Sequence, residues 1–199
     1  MNELETLNML LRLIGSSPVN SINTDHPDAA NAKTTMQRVS RRVQRKGWWC
    51  NIDYNITLEP DNNGAITVSD AVTSLVAEDH HYVLRGHRLY NKQLQTAVFT
   101  GCVVIKRLTY ILEWDDMPPV MQETVAYSAA AEFVRDELED ATKEQSLKED
   151  AGKSFLDLKK QELEEGQYNI FQNHRIARAR GGVFPYARGN KRFFGDPDV

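Results

Sequence analysis

Leu4, Leu7, Leu11 and Ile14 recur at helical spacing with Leu10 beside them, so the chain opens with a short amphipathic helix. Gly15 can supply the left-handed residue that ends it, and "SSP" follows as a stop. "INTDHPD" leads into a second helix, where Pro27 suits the first turn and Thr24 or Asp25 can cap. Ala32, Met36, Val39 and Val43 form its apolar stripe, Arg38, Arg41, Arg42 and Arg45 lie mainly off that stripe, and Gly47 ends it. After Trp48 and Trp49 the period changes to two. Ile52, Tyr54, Ile56 and Leu58 fall on one side, and Asp53, Asn55 and Thr57 on the other, which predicts a half-buried strand.

"EPDNNG" is a turn signal, because Asn and Gly tolerate positive φ. "AITV" predicts a second short strand, and "HYVLRGHRLYN" a hairpin turning near Gly86. "TAVFTGCVVIKRL" predicts a longer strand rich in β-branched residues. Helix returns after "WDDMPP", where Asp115 or Asp116 can cap and two prolines fit the entry. Tyr127, Ala131, Val134 and Leu138 make its stripe, with Phe133 alongside. A fourth helix is predicted over about 145–164, with Leu147, Ala151, Phe155 and Leu158 inward, Glu162 interrupting the seam at an exposed end, and Gly166 as the stop. The layout predicts an α+β fold: a four-helix bundle with an inserted small antiparallel β domain and an extended C-terminal arm. The expected boundaries are 1–49 and 115–170 for the discontinuous helical part, 50–114 for the β insertion and 171–199 for the arm.

Composition narrows the class. The 199 residues suffice for a core without disulfides or metal, and 41% hydrophobic with 26% charged residues is ordinary for a globular chain. The net charge of −4 argues against a dedicated nucleic-acid binder, but it hides segregation. Residues 33–46 carry basic side chains and no acidic one, whereas over 132–165 acids outnumber bases about two to one. From 175 the chain is basic again. Such blocks suit charged faces that meet each other, within or between subunits. Cys50 and Cys102 read as small thiols in a reducing compartment. "MNELETLNML" has acids where a secretory signal would be basic, and no apolar run is long enough for a bilayer. No membrane partner is therefore expected.

Chemistry-bearing clusters are few. His80 and His81 are adjacent, so in a strand they point to opposite faces, and His87 falls at a turn; convergent zinc ligands are not expected. Acid pairs such as Asp115 with Asp116, or Glu149 with Asp150, do not face each other on a helix and read as caps or solvated faces. No phosphate loop, nucleophile elbow, CxxC or HExxH occurs, and no catalytic, cofactor or metal residue is assigned. The arginines of the second helix could hold phosphates, but they lack helix-turn-helix spacing and interleaved base-reading residues. They are better assigned to protein contact. The arm "NHRIARARGGVFPYARGNKRFF" combines arginines and aromatics, the usual anchors of interfaces. Candidate interface residues are Arg38, Arg41, Arg42 and Arg45 on the helix, and in the arm Arg175, Arg178, Arg180, Phe184, Tyr186, Arg188, Phe193 and Phe194.

"LLRLIGSSPVNSI", "DAANAKTTMQRVSRRVQRKGWWCNIDYNITLEPD", "YVLRGHRLYNK" and "VVIKRLTYILEWDDMPPVMQETVAYSAAAEF", in that order, resemble the tail tubular protein A family of short-tailed bacteriophages. The resemblance covers roughly residues 4–165 and does not reach the arm. It implies a structural adaptor, or gatekeeper, of the virion tail, made in the host cytoplasm. It also implies a dodecameric homo-oligomeric ring between the portal protein and the nozzle built of tail tubular protein B, with tail fibres attached nearby. Viral DNA would pass through the channel as cargo during ejection. Within such a ring, Glu137, Asp140 and Glu144 are candidates for an acidic, phosphate-repelling lining. The other expectation, from a different class, is a tail protein with accessory hydrolase activity on polysaccharide or peptidoglycan, using carboxylates such as Asp115 or Asp116.

Overall fold

A computed structural model describes residues 1–138 and 140–165. Met1–Glu162 form one compact unit and Leu163–Val199 a second. The described residues hold four helices and five strands: α1 (Glu3–Leu13), α2 (Pro27–Gln44), β1 (Ile52–Leu58), β2 (Val72–Ala77), β3 (Tyr82–Arg85), β4 (Arg88–Asn91), β5 (Val103–Tyr110), α3 (Pro119–Leu138) and α4 (Ala141–Glu165). Short 3₁₀ turns at Trp49–Asn51 and Trp114–Asp116 lie at the two crossings between helical and sheet regions. The chain is therefore α+β.

Local chemistry explains the helix ends. The Asn2 side chain accepts from the Glu5 N–H at 2.7 Å and Glu5 accepts from the Asn2 N–H at 2.9 Å, a reciprocal box that starts α1. At its other end Gly15 takes φ +76° and the Ser16 N–H reaches back to the Leu11 carbonyl at 2.9 Å. Pro27 opens α2 as expected, but neither Thr24 nor Asp25 caps it. His26 holds the cap position, and the Thr24 hydroxyl accepts from the His26 N–H instead. Asp115 and Asp116 likewise sit in the 3₁₀ turn before α3, not at its cap. The fourth helix begins earlier than expected, because Asp140 accepts from the Thr142 and Lys143 N–H groups at 3.0 and 3.1 Å.

The sheet region departs more from the sequence pattern. Its main sheet has strand order β1-β5-β2, antiparallel throughout, and β3 with β4 forms a separate ribbon turning at Gly86. β2 was not anticipated, and the expected strand around Ile66 makes only isolated bridges, Ala65 to Val98 and Thr67 to Arg88. The long strand starts only at Val103. Ile52, Tyr54, Ile56 and Leu58 keep one register against Thr109, Arg107, Ile105 and Val103, yet Tyr54 is 62% exposed, beside Asn55 at φ +55°.

Two apolar clusters result. One joins α1, α2 and α3 through Leu7, Leu10, Val39, Met121, Val125 and Phe133, with Leu158 of α4 added. The other lies on the sheet around Ile66, Leu89, Ile105 and Leu108. The stripe on α3 is broader than the sequence suggests. Met121, Val125 and Ala129 are fully covered, while Leu138 is 38% exposed.

A buried polar clasp joins the clusters. Gln44, fully buried, accepts from the Leu112 N–H at 2.7 Å and donates to the Leu112 carbonyl at 3.1 Å and Ser40 Oγ at 2.9 Å. Asn51 donates to the Gln44 and Tyr110 carbonyls at 2.9 and 2.7 Å and accepts from the Trp48 N–H at 2.7 Å. Trp48 donates its indole N–H to the Val43 carbonyl at 2.8 Å. Every polar atom at this crossing is thus partnered, as burial requires.

Candidate assembly surfaces

Arg38, Arg41, Arg42 and Arg45 follow one another at steps of three, one and three residues, so they share about a third of the helix circumference. The structure divides them into two pairs. Arg38 reaches Glu132 at 3.3 Å and Asp136 at 3.2 Å, and Arg42 pairs with the other oxygen of Glu132. These contacts tie α2 to α3 along an exposed edge, where each pair is worth no more than about 1 kcal/mol. The Arg135 hydrogen bond, with Arg38 adding, holds the Asp136 carboxyl below the ordinary aspartate value. Arg41 and Arg45 have no carboxylate within ion-pair distance among the described residues. All four arginines line a groove of about 1000 Å³ between α2 and the sheet, together with Ala71, Ile111, Asp70 and Glu113. Asp70 is occupied by His87 Nδ1 at 3.1 Å.

α4 offers a second surface. Only Ser154 and Leu158 of its described side chains are buried. Thr124 donates to the Ser154 carbonyl at 3.0 Å, and Phe155 meets Trp48 edge-on at 5.7 Å between ring centres. Lys46 covers the Phe155 ring at 4.3 Å. Glu162, expected to interrupt an exposed end, is half-buried and accepts from the Trp49 N–H at 2.7 Å. The polar residue ends the apolar seam, yet it also binds α4 to the crossing. The opposite face carries Glu149, Gly152 and Leu156, the last 64% exposed.

The candidate lining acids are all engaged locally. Glu137 accepts from the Asn31 amide at 3.3 Å, Asp140 caps α4, and Glu144 pairs with Lys148 at 2.6 Å. Residues Arg175, Arg178, Arg180, Phe184, Tyr186, Arg188, Phe193 and Phe194, like the Gly166 stop, lie outside the described residues.

Other candidates stay apart. His81 lies 3.7 Å from Asp79, His80 is exposed, and the described residues include no His, Cys, Asp and Glu group that could hold a metal ion. Asp115 and Asp116 are adjacent and exposed. Cys50 and Cys102 are free thiols, and burial, with Glu162 adding, pushes the Cys50 thiol up to about 11. No helix among the described residues is long and apolar enough to cross a membrane.

Sequence reasoning missed the clasp and the groove. A Gln and an Asn near a Trp pair carry no periodic signal, and the groove is made by segments far apart in sequence. Gly152 was missed as well, although its signal is local: it interrupts a long helical pattern with no turn residues beside it.

Segregated charge, an arginine-rich groove and a helix exposed on its outer face are features of surfaces available for contact. The sequence matches the tail tubular protein family over residues 4–174, and the chain belongs to that family. It is similar to the tail tubular protein A of Klebsiella phage KP34, with 28% identity over 138 residues covering 68% of this chain and 74% of that one. The chain is accordingly a structural component of a phage tail.

Proposed function

We propose that the chain is the head-to-tail adaptor of a short-tailed phage. Copies close into a ring, dodecameric as the family resemblance implies, between the portal protein and the nozzle of tail tubular protein B. Viral DNA crosses its channel during ejection as cargo. The family match over residues 4–174 carries this reading. Two features support it. A closed ring of head-to-tail contacts needs two different complementary faces per subunit, and this chain has a basic α2 face and a long, exposed, net-acidic α4. Its arginines are partly consumed by α3, which suits packing and not a strong phosphate grip.

The acidic stretch over 132–165, including Glu137, Asp140 and Glu144, contributes to the channel wall, where carboxylates repel phosphate at close range. The arm, through residues such as Arg175, Arg178, Phe184, Tyr186 and Phe194, clasps a neighbour or the portal. The domain boundaries at about 50, 115 and 171 describe the working parts of this subunit.

Native mass measurement of the full chain, alone and mixed with purified portal protein, tests the reading. A discrete multi-copy ring, alone or on the portal, is expected. A chain that stays monomeric in both samples refutes it. In the assembled ring, acidic side chains of 132–165 found on the outer wall would remove the lining role. Unchanged ring formation and portal binding after deletion of 173–199 would remove the clasp.

A further inference from the structure

Gly152 sits well inside a 25-residue helix, where glycine costs about 1 kcal/mol relative to alanine. Among the described residues nothing demands it: a Cβ placed there meets no atom within 4 Å. Glu149 precedes it by three residues and Leu156 follows by four, so the three form one ridge. The ridge lies roughly opposite Leu158, which is fully buried, and leaves Leu156 64% exposed. An exposed helical ridge with a glycine between an acid and a leucine allows another surface to approach the backbone closely.

The chemistry that complements this ridge is on α2. The groove holding Arg41 and Arg45 offers two guanidiniums without carboxylate partners among the described residues, beside the apolar Ala71 and Ile111. Lys153, flanking the ridge, is 3.0 Å from Asp150. The groove sets two carboxylates, Asp70 (3.1 Å from His87 Nδ1) and Glu113, against four arginines, so its balance stays basic. Within one subunit α4 borders α2 at Arg42, Val43 and Lys46, with Gly152 at the edge of that cleft, and Arg41, Arg45, Ala71 and Ile111 are not among the residues that line it. Surfaces on different sides of a subunit are what a head-to-tail contact uses.

Resting on the ring reading, we infer that the ridge of Glu149, Gly152 and Leu156 docks into the Arg41 and Arg45 groove of a second copy. Leu156 meets Ile111 and Ala71, Glu149 meets the guanidiniums of Arg41 and Arg45, and Gly152 sets the close approach. The arrangement is unsymmetrical: each copy gives a ridge to one neighbour and a groove to the other.

Charge reversal with mixing tests it on the full chain, by mass photometry under conditions where the wild type forms rings. Arg45→Glu and Glu149→Arg, each alone, should weaken association by about tenfold or more. Mixed one to one they should assemble again, because each intact ridge finds an intact groove and the two reversed surfaces match. Gly152→Leu should leave the melting temperature unchanged or raised and still block association. Variants that assemble like the wild type, or a mixture that fails to recover, overturn the contact while leaving the ring reading in place. A wild type that remains monomeric alone and with portal protein overturns both. Loss of binding to a DNA oligonucleotide in Arg45→Glu with assembly intact would assign the groove to phosphate and overturn the contact as well.

Discussion

Replacing Gln44 by Met keeps the length and volume of a fully buried side chain but removes its amide. Two hydrogen bonds to the Leu112 backbone, at 2.7 and 3.1 Å, and one to Ser40 at 2.9 Å are lost. A neutral hydrogen bond contributes about 0.5–1.5 kcal/mol net, and a buried group left unpaired costs about 1–3 kcal/mol. Leu112 is half-buried, so water can reach part of its backbone and the lower ends of these ranges apply. The expected destabilisation is about 2–4 kcal/mol. Trp48 and Trp114, 5% and 8% exposed and close to the crossing, report unfolding by fluorescence. In urea, with a slope of about 2 kcal/mol/M, the midpoint should fall by about 1–2 M. Gln44→Glu should be worse near neutral pH: it keeps an acceptor for the Leu112 N–H but loses the donor and brings a charge into a site without solvent. A loss under about 0.5 kcal/mol for Gln44→Met would show that the clasp is not what joins the two apolar clusters.

Gly64→Ala should destabilise by about 1–3 kcal/mol from its φ of +75° alone, with more from a Cβ placed 2.7 Å from Val98 Cγ1 and 3.0 Å from the Phe99 carbonyl; thermal melts check this. Leu158→Ala, at a fully buried position, should cost about 2–5 kcal/mol and raise amide exchange along α4 before the α2 and α3 amides. Uniform protection would refute that order. Cys102, exposed, should alkylate at pH 8 well before Cys50, whose thiol is pushed up to about 11; equal rates by mass spectrometry would contradict the burial. Asp136, held below its ordinary value by Arg135 and Arg38, contributes stability present above about pH 3.9 and lost as pH falls through its lower folded value. At its exposure the effect is small, and Asp136→Asn should flatten this part of an acid titration.

The helices were largely legible because their signals are local. The stripe of Ala32, Met36, Val39 and Val43 is buried as a stripe, and Gly15 and Gly47 end their helices at φ +76° and +77°. The hairpin at Gly86 was equally local. Where the sequence misled, a distant partner decided. Residues 65–68 found bridges to Val98 and Arg88 in place of a full ladder. β2 owes its place to pairing with β5, about thirty residues on in the chain, which short-range periodicity cannot encode.

For the assembly surfaces the division is the same. Sequence alone determined that the α2 face is arginine-rich and that α4 is long and net acidic. Only the tertiary structure decided that, of four arginines on one groove, Arg38 and Arg42 are taken by Glu132 and Asp136 while Arg41 and Arg45 have no carboxylate at ion-pair distance among the described residues. The reason is geometric. Spacing fixes which side of a helix a charge is on, but whether it finds a partner depends on which elements the core brings against that side.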